Sequence, residues 1–141
     1  MRVVVANRPG GTPQPGRMDL ADLLAAADVV SLHCPLTPFT RNLIGAAELA
    51  RMKPDAVLVN TARGALVDAY ALAAALREGR LGGAGIDVLE NEPPVDGNPL
   101  LAADIPNLIV TPHVAWAARE ARQRALAELA ANVKDVLRGG S

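Results

Sequence analysis

Sulfur and aromatic rings are almost missing from this chain, and much is excluded by that. Its 141 residues include one Cys, one Trp, one Tyr and one Phe. Cys34 alone cannot close an internal disulfide, which suits a reducing compartment. With aromatics at 2% of residues and apolar residues at 50%, a core must be built from Ala, Leu, Val and Ile. Two histidines and one cysteine, with no His pair at helical spacing, exclude a zinc site, and no other metal site is read. A net charge of −1 and the lack of any basic cluster interleaved with aromatics exclude nucleic acid and an anionic membrane surface as partners. No apolar run approaches the roughly 18 residues of a membrane span. The opening apolar stretch, residues 3–6, is too short for a signal peptide. A single cytoplasmic domain is expected at this length.

What is present alternates. Short β-branched runs are separated by Ala- and Leu-rich stretches of helical period, the pattern of stacked strand–helix–strand units around a parallel sheet. Strands are expected at 3–6, 29–32, 57–60, 85–88 and 108–111. Helices are expected from Asp19 to residue 27, at 46–52 before Pro54, at 68–78 with Asp68 as cap and Gly79 beyond, and at 117–137 before Gly139-Gly140. The strands are apolar throughout, which predicts burial on both faces.

In such sheets ligands bind beyond the carboxyl ends of the strands. The polar residues just past those ends are Asn7 and Arg8, then His33 and Cys34, then Thr61 and Arg63, then Asp87 with Glu92, then His113. Each has a plainer reading as well. Arg63 alone would be surface salt-bridge material. His113 would be a capping or core histidine, Glu92 a solvated loop carboxylate and Asp87 a turn cap. Arg8 would decorate a turn. Cys34 beside His33 suggests a nucleophile and base, but neighbours in an extended segment point to opposite sides, so a thiol enzyme is rejected.

Four motifs in order carry a resemblance: His33-Cys34-Pro35-Leu36-Thr37, Asn60-Thr61-Ala62-Arg63-Gly64, Gly85-Ile86-Asp87-Val88 with Glu92-Pro93, and Thr111-Pro112-His113. Together they resemble the D-isomer-specific 2-hydroxyacid dehydrogenases over nearly the whole chain. Gly97-Asn98-Pro99-Leu100-Leu101 and Val114-Ala115-Trp116-Ala117 are similar to the glycerate dehydrogenase (hydroxypyruvate reductase) branch. The resemblance implies an NAD-dependent oxidoreductase interconverting a 2-keto acid and a D-2-hydroxy acid, with hydroxypyruvate and D-glycerate favoured. It implies catalysis by Arg63, Glu92 and His113. His113 would exchange the proton, Glu92 would hold its other ring N–H, and Arg63 would grip the substrate carboxylate through a forked pair. Asp87 would bond the nicotinamide carboxamide, and Thr61 and Ala62 would line the nicotinamide ribose. His33, Cys34 and Pro35 would border the adenosine side, and Thr40 and Ala115 also enter the cofactor set. Asn7 stands where NAD-preferring members carry an acid, and Arg8 beside it is suited to a 2′-phosphate, so NAD comes first and NADP stays open. The intact family member is expected to be a homodimer.

Two departures from the family pattern are visible. No GxGxxG occurs, and Gly10-Gly11 follows the family's second strand rather than its first. The N-terminal substrate lobe is also absent. The implied fold is therefore a Rossmann-like parallel sheet with helices on both faces, missing the first strand and its Gly-rich loop. The whole of 1–141 is then one partial dinucleotide-binding domain. The expectation is a fragment or truncated gene product, inactive alone. A non-catalytic nicotinamide-binding module of corepressor type and a non-functional remnant are the alternatives.

Overall fold

The apolar runs become a sheet of four short parallel strands, and the computed structural model describes residues 1–139. The strands are β1 (Val29–Leu32), β2 (Val57–Asn60), β3 (Gly83–Ile86) and β4 (Leu108–Val110), side by side in chain order. The helices are α1 (Leu20–Ala26), α2 (Ala46–Leu49), α3 (Ala69–Arg77) and α4 (Arg119–Leu137). In α3 the Asp68 carboxylate accepts from the N–H of Tyr70 and of Ala71, both at 3.0 Å, and Gly79 follows the helix at φ 66°. Its buried stripe, Leu72, Ala73, Ala75 and Leu76, faces the sheet core.

Register decides which side chains meet. Val30, Leu58, Ala84 and Leu108 align across the sheet, and so do Leu32, Asn60, Ile86 and Val110. Val30, Leu32, Leu58, Ala84, Ile86 and Leu108 of that face join Leu24, Leu49, Leu72 and Leu76 in one core. On the opposite face Val29 and Ile109 stay exposed, at 61% and 69%. Two-sided burial is therefore corrected for the edge strands: β1 alternates exposed and buried, Ile109 of β4 is exposed and α4 buries no residue, whereas β3 has no exposed position. The reason is topological. Right-handed crossovers between strands laid down in one direction put every connecting helix on the same face.

Other boundaries shift for local reasons. Residues 3–6 form no sheet strand; Ala6 makes one isolated bridge to Met18, and Val3 and Val5 are exposed. They do not pair with β1, whose outer edge is left open among the described residues. Asp19 precedes α1 without capping it, because its carboxylate accepts from the Asn7 amide at 3.1 Å. After Leu49 the chain tightens into three-residue turns before Pro54, which shortens α2. β3 begins at Gly83 rather than residue 85, a start hidden by the weak strand preference of Gly83-Ala84. Asp87 is thus the first residue past β3. The last strand ends one residue early, although the Thr111 N–H still reaches the Ile86 carbonyl at 3.0 Å. The closing helix begins at Arg119, and Gly140 lies outside the described residues.

Gly82 enters β3 pressed against backbone: a methyl group there would fall 2.5 Å from the Asp55 carbonyl oxygen. At Gly85 the same methyl would meet nothing within 4 Å. Urea denaturation should therefore show Gly82→Ala losing about 1–3 kcal/mol. Gly85→Ala should stay within about 0.5 kcal/mol of the parent. Equal losses at the two positions would contradict this packing.

Candidate active site

Because all four strands run the same way, the segments that leave them gather at one edge. Past β1 comes the stretch from His33, and past β2 come Thr61, Ala62 and Arg63. Asp87 follows β3, and Thr111 to His113 follow β4. His33, Cys34, Pro35, Leu36, Thr61, Ala62 and Arg63 border one open cleft. The loop beneath Arg63 is shaped from below by Asn60, which is fully buried. Its side-chain amide donates to the Arg63 carbonyl at 2.9 Å and its oxygen accepts the Ala62 N–H at 3.0 Å. The Arg63 guanidinium donates to the Ala62 carbonyl at 2.6 Å and enters no ion pair among the described residues, unlike salt-bridge material.

The second grouping centres on His113. Its Nδ1 lies 2.7 Å from Glu92 Oε2, and the other carboxylate oxygen accepts the Leu89 N–H at 2.6 Å. The His113 ring and then the Leu89 N–H hold the Glu92 carboxyl below the ordinary glutamate range. His113 has φ 53°, a left-handed conformation that a side-chain-bearing residue adopts only when its surroundings impose it.

Those surroundings are built by Asp87, which is 4% exposed. Its Oδ1 accepts the Thr111 hydroxyl and the Val114 N–H, the latter at 2.9 Å, and its Oδ2 accepts the Ala115 N–H at 2.9 Å. Its carbonyl takes the His113 N–H at 2.9 Å. Burial pushes the Asp87 carboxyl up, but the donors from Thr111, Ala115 and Val114, aided by the nearby His113, outweigh it and leave it below the usual aspartate range.

The remaining candidates are placed less directly. His33 Nε2 lies 2.9 Å from the Ser31 hydroxyl, and burial pushes the half-buried Cys34 thiol up. Thr40 is buried and closes its own loop, donating to the Pro35 carbonyl at 2.8 Å. The Asn7 side chain serves its own turn, with Asp19 and the Gln14 N–H as partners. Arg8 is exposed on that turn, away from the cleft lining; a methyl at the neighbouring Gly10 would lie 3.2 Å from the Phe39 ring, beside the loop after β1. Arg63 makes no hydrogen bond or ion pair with Glu92 or His113. It is linked to them through backbone: at Gly64 a methyl would fall 2.0 Å from the Leu89 carbonyl carbon. Asn60, Gly64 and Thr111 stand in the motifs without a role of their own, and Leu89 lies outside them. Asn60 and Thr111 carried the one usable signal, a hydrogen-bonding residue at or just past an apolar strand end.

The family model described as D-isomer specific 2-hydroxyacid dehydrogenase, NAD binding domain, matches residues 1–115. The chain belongs to that family. It is 56% identical over 127 residues to a glycerate dehydrogenase of Methylorubrum extorquens, covering 90% of this chain and 40% of that one. Among solved structures, it resembles an acyclic imino acid reductase in complex with NADPH and D-Arg, with TM-score 0.78 and 34% identity over 96% of this chain and 43% of that one. It also resembles the NAD-complexed D-isomer-specific 2-hydroxyacid dehydrogenase of Lactobacillus delbrueckii ssp. bulgaricus, with TM-score 0.74 and 35% identity over 89% and 42% of the two chains. The fold is Rossmann-like, a parallel sheet with flanking helices. The chain spans about two fifths of the length of these relatives. Among the described residues no helix is long and apolar enough to cross a membrane.

A carboxylate so fully used should reveal itself through pH. An Asp87→Asn amide would turn an N–H group toward backbone N–H donors, and about 1–3 kcal/mol of stability should be lost at pH 7. Asp87 titrates lower folded than unfolded, so its contribution is present above the ordinary aspartate range and is lost as pH falls through the folded value. The gap between parent and variant, read from denaturation curves, should close as pH falls. A gap independent of pH would reject this account.

Proposed function

We propose that this chain is the cofactor-binding, catalytic half of an NAD-dependent oxidoreductase that interconverts a 2-keto acid and a D-2-hydroxy acid. Hydroxypyruvate and D-glycerate are the favoured pair, supported by the likeness to a glycerate dehydrogenase. The observation that carries the reading is the His113–Glu92 contact at 2.7 Å, placed at the carboxyl edge of a sheet of this family.

The residues fit the cofactor's nicotinamide and adenosine ends. An open cleft lies past β1 and β2, with Thr61 and Ala62 on one side and His33, Cys34 and Pro35 on the other. No GxGxxG occurs in the chain, so the pyrophosphate would be held by groups outside these residues. Between Thr61, Ala62 and the His33–Pro35 stretch, a bound nicotinamide cofactor would supply the hydride chemistry at the substrate carbonyl carbon. This chain supplies the proton and the grip. With Glu92 accepting the Nδ1 proton, His113 presents Nε2 outward, and from there it gives a proton to the carbonyl oxygen in reduction and takes it back in oxidation. Arg63 offers two parallel N–H groups to the substrate carboxylate, which fixes the carbonyl relative to Nε2. Asp87 holds the backbone from which His113 reaches, and its Oδ2, with one backbone donor, has capacity for the nicotinamide carboxamide.

The domain assignment follows the same logic. Residues 1–141 form one partial dinucleotide-binding domain, completed in the working enzyme by a substrate lobe and a Gly-rich loop, and that enzyme is a homodimer in the cytoplasm. NAD is the first cofactor. NADP is the alternative, carried by the exposed Arg8.

The test joins the chain to an upstream lobe with its Gly-rich loop and follows hydroxypyruvate-dependent oxidation of NADH and NADPH. The joined protein should turn over while the 141 residues alone do not. His113→Ala should lower kcat by about 10²–10⁴-fold. Arg63→Ala should act mainly through the keto-acid KM. A joined protein that binds cofactor without reducing any 2-keto acid would sink the enzymatic reading in favour of a nicotinamide-binding module. Turnover by the isolated chain would refute the expectation that it is inactive alone.

A further inference from the structure

Four donors bind the turn after β4 to Asp87, and only one of them belongs to a side chain. The N–H groups of Val114 and Ala115 meet the Asp87 carboxylate, and the His113 N–H meets the Asp87 carbonyl at 2.9 Å. These three are backbone, present whatever residues occupy the turn. The fourth is the Thr111 hydroxyl on Asp87 Oδ1. Thr111 is also anchored to the sheet, since its N–H donates to the Ile86 carbonyl at 3.0 Å, one residue before Asp87. Its own carbonyl receives the His113 N–H at 3.0 Å. Thr111 thus touches Asp87 by side chain and His113 by backbone, with Pro112 between them fixing one dihedral of the turn.

We infer that Thr111 is a positioning residue for His113: its hydroxyl sets the Asp87 carboxylate where it receives the Val114 and Ala115 N–H groups, and so holds His113 in the left-handed backbone from which Nδ1 reaches Glu92. The inference deepens the proposed function, because it rests on His113 being the proton carrier. Its geometric content does not depend on that role. Without the hydroxyl, Oδ1 keeps one donor of two, and the cost of φ 53° at a histidine falls on the backbone bonds to Asp87 and on the Trp116 Nε1–H, which donates to the His113 carbonyl at 2.8 Å. A plainer role for a threonine at a strand end is β-branched packing. The two roles part on substitution. Valine keeps the branch and loses the donor; serine keeps the donor and loses the methyl.

The experiment compares Thr111→Val and Thr111→Ser with the parent 141-residue chain by NMR. The readouts are the pH titration of the Asp87 and Glu92 carboxyl carbons and the Val114 and Ala115 amide shifts. His113 and Glu92 are the charged groups beside Asp87, so both carboxyls are followed together. Thr111→Val should move the Asp87 and Glu92 midpoints up toward those of unpaired carboxyls and abolish the response of the two amides to Asp87. Thr111→Ser should match the parent in all three. A valine variant with parental titrations, or a serine variant as disturbed as the valine one, would overturn the inference. Such failure leaves the proposed function intact, because that reading stands or falls on reductase activity of the joined protein.

Discussion

A buried carboxylate must be surrounded by donors, and the site is organised by that requirement. Asp87 leaves water as the first residue past β3, and its charge is tolerable only because a hydroxyl and two backbone N–H groups converge on it. Those donors all come from the segment after β4, so satisfying Asp87 forces that segment to wrap round it. The wrap is what places His113 in a left-handed backbone. The strain at His113 and the charge at Asp87 are two sides of one arrangement, each persisting because the other is present. Glu92 then meets a histidine ring that is already aimed.

The same logic separates what the sequence discloses from what it hides. Parallel packing, the order of motifs and the cluster of polar residues at strand ends are legible, because apolar runs broken by Gly, Pro and Asp leave few alternatives. The cap at Asp68 is legible too, being a contact of two and three residues. Residues 3–6 mislead: Val3, Val4 and Val5 have strand composition, yet a strand needs a partner along its length, and here one bridge to Met18 is all that forms. Two-sided burial misleads for a related reason. An unbroken apolar run reports what a strand tolerates, whereas which face is covered follows from crossover direction.

Within the site, the plain turn-cap reading of Asp87 describes what its carboxylate does in this structure, and that role is compatible with a free lone pair facing a ligand. Asn7 shows the opposite case. It stands where NAD-preferring members carry an acid, and its side chain bonds Asp19 and the Gln14 N–H, contacts of 12 and 7 residues' separation that no strand-end rule anticipates. Thr40 is likewise drawn inward, its hydroxyl closing the loop after β1. Short polar side chains in Pro-rich loops have backbone groups to satisfy first, and composition cannot say which of them are left over.

The separation of Arg63 from the His113–Glu92 pair has a physical answer in Gly64. In any reaction whose groups sit on two loops, a misplacement near 1 Å costs about 10²-fold in rate. No side chain joins the two groups; a shared backbone contact does. Gly64 follows Arg63 directly and lies against the Leu89–Glu90 peptide so closely that any Cβ would overlap it, at 2.0 Å from Leu89 C and 2.3 Å from Glu90 N. The same Leu89 gives its N–H to Glu92. Displacing either loop therefore moves the other, so Arg63 and the His113–Glu92 pair share one frame. Side chains reaching across would have offered a softer link, since rotamers yield where two packed backbones do not. The exposed Arg41–Glu90 ion pair, 2.6 Å long, spans the same loop from outside, but exposure on both sides leaves it a minor contributor beside that backbone contact.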